Sequence, residues 1–128
     1  MAIAIANTKN ALAAFYTLGT TGTFSYTGAT FIGLAATNPG TAATPSTEIT
    51  GGSPAYARVA TTWGVASLGI ATGTAVTINI PTTTTVTYAL LASAATVATT
   101  NMVDNCTVTS TTYNAQGSAI ITPTFTVT

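Results

Sequence analysis

The chain is 128 residues long, and only four of its side chains carry a formal charge at neutral pH, two basic and two acidic. It has no histidine and one cysteine, and its charged fraction of 3% compares with about 25% in an ordinary globular domain. Acid–base catalysis, metal ligation and phosphate recognition all draw on the residue types that the chain nearly lacks. Zero net charge also leaves no electrostatic footprint for nucleic acid or an anionic membrane surface.

Low charge alone would suit a disordered chain, but 47% of the residues are hydrophobic and the mean hydropathy is positive, which disorder does not tolerate. Roughly a quarter of the residues are Thr, far above typical usage. Threonine is β-branched, suits a pleated surface and keeps an uncharged exterior wettable. The expected class is mainly β, a β-sandwich or jelly-roll-like single domain over residues 1–128 with a short N-terminal helix. No apolar run is long enough to span a bilayer. The N-terminus has no cationic region ahead of its apolar residues, so no signal peptide is expected. A surface this neutral promotes association, which points to a protein that works assembled, with neighbours covering much of it.

In chain order, residues 1–19 form an N-terminal arm or helix. Ala2 to Ala6 alternates Ile with Ala and reads as a short strand or an arm. Asn7 then suits an N-cap, Leu12, Phe15 and Tyr16 share a helical face, and Gly19 sits where a C′ glycine belongs. Residues 20–128 form the β region. Thr20 to Gly28 reads as a loop or short hairpin, and Ala29 to Ala36 as a largely buried strand closed by the turn signal Asn38-Pro39-Gly40. A long polar loop over 38–54 follows, of the kind that is functional or contact-making.

Strand signals then come at close spacing: Tyr56 to Trp63, a short piece at Ser67 to Ala71, and Thr74 to Ile80 with Val76, Ile78 and Ile80 on one face. Pro81 closes that strand, and Thr82 to Thr85 is expected to be a hairpin connection into Thr85 to Leu91. Asn101 to Ser110 and Ala119 to Val127 complete the set. Phe31, Trp63, Tyr88 and Phe125 fall within strand patterns as core aromatics. Tyr26, Tyr56 and Tyr113 lie near turns, where they are placed to contact neighbouring subunits.

The available chemistry is narrow. Hydroxyls abound, but Lys9, Glu48 and Asp104 are the only side-chain bases, and no nucleophile–base–orienter set can be assembled from them. Glu48 and Asp104 are far apart in sequence and lack flanking aromatic sugar platforms, so they do not read as a glycosidase pair. No Ca²⁺ loop and no phosphate-binding glycine loop is present; Gly51-Gly52 runs into Ser-Pro rather than into a helix. Cys106 reads as a small buried hydrophobe. Asn105-Cys106-Thr107 matches a glycosylation triplet that a Thr-rich chain produces by chance. The expectation is a protein that is not an enzyme, with no catalytic residue, no cofactor and no metal.

One segment stands apart: Glu48-Ile-Thr-Gly-Gly-Ser-Pro-Ala-Tyr-Ala-Arg58, which carries half of the charges. Gly51 and Gly52 permit a tight reversal, and Pro54 fixes the chain entering the next strand. The reversal can return Glu48 to Arg58, forming a bidentate pair that clasps the loop to the sheet. Glu48, Gly51, Gly52, Pro54, Tyr56 and Arg58 are therefore the candidate site, read as a structural loop clasp.

That segment, with Ile32-Gly33-Leu34, Asn38-Pro39-Gly40 and the following Trp63, resembles a family of small tailed-phage virion proteins labelled tail fibre or minor tail proteins. Those proteins run from a short helix into a strand with an Ile-x-Leu core, then a turn ending in Pro-Gly. A Glu-Val/Ile-Ser/Thr-Gly-Gly-x-x-Tyr-Ala-Arg element and a Thr/Ala-rich β region follow. The likeness covers about residues 29 to 63 and is compositional beyond. Ala35 and Asn38 depart from it, standing where His and Asp are common. The resemblance implies a virion location and a homo-oligomer, a trimer being one candidate, in contact with other virion proteins such as the major capsid protein. A fibre needs a shaft of coiled coil, collagen-like repeat or β-helix, and none is legible, so a capsid decoration or cement protein is the preferred reading. The alternative is a tail fibre or minor tail component that contributes to host-surface adhesion. A carbohydrate-binding module and a cellular filament subunit are the readings from other classes; the first would need exposed aromatic platforms, the second a long apolar N-terminal helix.

Overall fold

A computed structural model describes residues 28–97 and 101–126. The expected N-terminal arm and helix, with Lys9, Tyr26 and the last position of the tail strand, lie outside them. The described chain is mainly β. Its strands are β1 (Phe31–Ala35), β2 (Val59–Ala60), β3 (Ile70–Thr72), β4 (Val76–Ile80), β5 (Thr84–Ala92), β6 (Met102–Tyr113), β7 (Gly117–Ile121) and β8 (Thr124–Thr126). They pair antiparallel as a four-stranded sheet in the order β2-β1-β5-β6 and two ribbons, β3-β8 and β4-β7.

β1 lies inside the four-stranded sheet, and its sequence Phe-Ile-Gly-Leu-Ala contains nothing polar, as a strand covered on both faces requires. Ile32 and Leu34 join Val76, Ile78 and Ile80 of β4, Val86 and Ala89 of β5, and the loop residues Ile49 and Tyr56 in one apolar cluster. Ala35, Leu90 and Met102 form a second cluster, with Tyr88 packed against it. Within β4 burial alternates as its sequence does, with Thr77 exposed between buried Val76 and Ile78. The β4-β7 ribbon thereby packs its apolar side against β1 and β5, with Ala119 and Ile121 of β7 also on the cluster.

Four sequence expectations change. Thr82 to Thr85 does not join a hairpin: β4 pairs with β7 and β5 with β6, so the turn after Pro81 carries the chain from one sheet to the other. Its tie is to β6–β7, through the Thr82 hydroxyl, which donates to the Asn114 carbonyl at 2.9 Å. The tail strand is broken, because Pro123 has no N–H for a ladder, into β7 on β4 and β8 on β3. Of Tyr56 to Trp63, only Val59–Ala60 is strand; Trp63 makes an isolated bridge to Gly73, and its indole N–H donates to the Ala29 carbonyl at 2.7 Å. Tyr56 is 6% exposed and so is a core residue rather than a subunit contact. Phe31, Trp63, Tyr88 and Phe125 are half-buried, as is Tyr113.

Candidate functional site

The site grows out of an incomplete strand edge. β2 covers only the start of β1, pairing Phe31 with Ala60 and Ile32 with Val59. Further along, the far end of the long loop takes over. The Ile49 N–H donates to the Leu34 carbonyl and the Ala36 N–H to the Thr47 carbonyl, each at 3.1 Å, with Ala35 opposite Glu48. Between these two partners the Leu34 N–H would lack a backbone acceptor. The Tyr56 hydroxyl fills that place, accepting from Leu34 N at 2.8 Å. An unpaired buried amide is costly, so this phenol serves as a missing rung of the ladder.

The same hydroxyl lies 3.1 Å from Glu48 Oε1. Arg58 grips that carboxylate in a fork: Nε donates to Oε1 at 2.6 Å and Nη2 to Oε2 at 2.7 Å. Its remaining nitrogen, Nη1, donates to the Ala94 carbonyl at 3.0 Å and to Asn101 Oδ1. One guanidinium thus ties together the long loop, the lead-in to β2 and the β5–β6 connection. Both charged side chains are fully enclosed, at 0% exposure, and among the described residues no buried side-chain nitrogen or oxygen lacks a hydrogen-bond partner. A planar, always-charged fork is the side chain suited to such a place; lysine could not supply donors in this many fixed directions.

The reversal between Glu48 and Arg58 is also built from its sequence. Gly51 and Gly52 adopt φ of 84° and 91°, a region open to glycine and strained for other residues. Ser53–Pro54 is a cis peptide, and the Tyr56 N–H closes the turn on the Gly51 carbonyl at 2.7 Å. Gln116, in the β6–β7 connection, straps the turn from outside. Its side chain accepts from Ser53 N at 3.3 Å and donates to the Pro54 carbonyl at 3.2 Å. Asn79 of β4 adds a bond to the Ala55 carbonyl at 3.3 Å.

All six expected residues, Glu48, Gly51, Gly52, Pro54, Tyr56 and Arg58, therefore belong to one construction. Glu48, Tyr56 and Arg58 converge on a buried centre, while Gly51, Gly52 and Pro54 shape the exposed turn that returns the chain. Four participants lie beyond the expected set: Gly33, Asn79, Asn101 and Gln116. Gly33 stands where a Cβ would come within 2.8 Å of Tyr56 Oη and 3.0 Å of Glu48 Oε1, so β1 can pass under the clasp only without a side chain there. Asn101 and Gln116 sit in connections distant in sequence, and nothing in their local pattern announces the contact.

Burial raises the Tyr56 phenol pKa well above its ordinary range, and the neighbouring Glu48 carboxylate adds to the rise. The phenol is therefore a neutral donor and acceptor, not a proton store. Asp104 is buried as well, 3% exposed. Burial pushes the Cys106 thiol pKa up, with the charge of Asp104 as the second cause, so the thiol is disfavoured as a nucleophile. Cys106 itself is half-buried. With Glu48, Arg58 and Asp104 all inside, every charged side chain among the described residues is buried. The described surface is made of hydroxyls, amides, backbone and apolar groups.

No protein-family model matches the chain, and no curated protein matches it.

Proposed function

We propose that this chain is a non-enzymatic structural protein of a tailed-phage virion, acting as a capsid decoration or cement protein that packs on the capsid lattice and stabilises it. One observation carries this reading: the segment with the virion-protein resemblance uses its two charges on an enclosed internal clasp, and no charged side chain is left on the described surface. A motif held in that way serves architecture, and an ion-free surface suits permanent contact with neighbours better than life as a free monomer. The fold is read as a β-sandwich or jelly roll, supported by the packing of the β4-β7 ribbon on β1 and β5. Partners are further copies of the chain and the major capsid protein; the contacts are apolar and hydroxyl-mediated, and neither nucleic acid nor membrane takes part.

The test is reconstitution. Capsids assembled without the chain are mixed with the purified protein, and the temperature at which they release DNA is measured. Saturable binding with a rise in that temperature is expected. Binding to isolated tails and not to capsids would replace this reading with the tail component.

A further inference from the structure

The hairpin between Thr62 and Thr74 ends in an apolar tip that the other described residues leave uncovered. Its arms pair through Thr74 N to the Thr62 carbonyl and Gly64 N to the Thr72 carbonyl, each at 2.9 Å. Ser67 and Ile70 then exchange both backbone bonds around a two-residue turn. The turn residues are Leu68 and Gly69, with φ of 51° and 78°. A turn with positive φ at both central positions calls for Asn-Gly or Asp-Gly. A branched apolar residue at the first of them is strained. Leu68 is nonetheless there, 98% exposed, with Val65 equally exposed and Ile70 at 45%. Neither local conformation nor burial among the described residues accounts for this leucine. Strain of this kind, joined to full exposure, points to a contact outside the described residues.

A complementary feature lies on the same molecule. A cavity of about 160 Å³ is lined by Trp63, Cys106, Val108, Ile121 and Phe125, with Asp104 also at its lining. An apolar cavity of about 150 Å³ accommodates a benzene ring, and the four-carbon side chain of leucine is smaller. Tip and cavity share a ribbon, since Ile70 and Ala71 of β3 pair with Thr126 and Phe125 of β8.

We infer that the Leu68 tip of one copy seats in the Trp63–Phe125 cavity of a second copy. This deepens the assembly reading by naming the contact between copies, and it is tested on the purified full chain without any virion, so its failure leaves the virion reading standing. A described surface without ionic side chains selects a partner by shape, apolar contact and hydrogen bonds from neutral groups, and both halves of an apolar, shape-fitted contact are present on this chain.

The test compares the wild type with Leu68→Asn by sedimentation over a concentration series. Asparagine fits the turn better than leucine, so the variant is expected to unfold at the same or a higher denaturant concentration while its self-association weakens at least tenfold, as the loss of one buried leucine implies. Leu68→Cys supplies the second measurement. Under mild oxidation with copper–phenanthroline, an intermolecular disulfide between position 68 and Cys106 of another copy is expected to dominate the mass-spectrometric peptide pairs. Unchanged self-association in Leu68→Asn, a wild type that is monomeric throughout the series, or pairing only between two copies of position 68 would each overturn the inference.

Discussion

Gly33 passes directly beneath the Tyr56 hydroxyl, so close that a Cβ on Gly33 would lie 2.8 Å from Tyr56 Oη and 3.2 Å from Arg58 Cγ. The glycine and the phenol are thus two halves of one device. The missing side chain lets the hydroxyl reach the Leu34 amide, and the hydroxyl completes the edge of β1.

It follows that Gly33→Ala destabilises the protein by about 1–3 kcal/mol, the usual cost of forcing atoms into a filled interior. Tyr56→Phe removes the atom that the new methyl would meet first. The double variant should therefore cost less than the sum of the two single losses by more than about 0.5 kcal/mol. Urea denaturation of the four proteins measures it, and strict additivity would separate Gly33 from the clasp.

Removing either side of the ion pair strands a buried charge. Arg58→Ala and Glu48→Ala are each expected to cost about 3–5 kcal/mol, and the double variant far less than their sum. Arg58→Lys should recover little of the loss, because an ammonium cannot hold both Glu48 oxygens together with Ala94 and Asn101. Equilibrium unfolding at neutral pH reads all four.

Alkali should act through Tyr56. Its folded pKa is raised above the ordinary 10.0, so the unfolded chain gives up this proton first. The stabilisation is complete below about pH 10 and is lost as the pH rises beyond it, with a slope approaching about 1.4 kcal/mol per pH unit from this group. Tyr56→Phe should flatten the decline by that amount while leaving the curve's shape below pH 9 unchanged, as stability measured from pH 8 to 12 will show.

The Gln116 strap is exposed, and its bonds to the turn are long, at 3.3 Å and 3.2 Å. Gln116→Ala should change global stability by less than about 1 kcal/mol. Local opening should respond instead, through faster hydrogen exchange of the Tyr56 amide that closes the turn on Gly51.

The clasp was legible from Glu48 to Arg58 because opposite charges flanked a Gly-Gly reversal in a chain with almost no others. Period-two alternation likewise marked β4, where Val76, Ile78 and Ile80 are all buried. What escaped was long-range. Thr82 to Thr85 looks like a hairpin turn because sequence carries no record that β4 prefers β7, and Pro123 divides the tail for a partner it does not name. Tyr56 sits beside a turn, which suggested exposure, yet its task is to satisfy an amide on a strand 22 residues away. Gly33 hides inside an apolar run, where its meaning depends on the three side chains crowded above it.

Copy number in purified particles tests the central claim most directly. Quantitative mass spectrometry of virions, with the major capsid protein as internal standard, is predicted to find this chain in hundreds of copies per particle. A handful of copies would make it a tail or tip component, and its absence from purified virions would contradict the account.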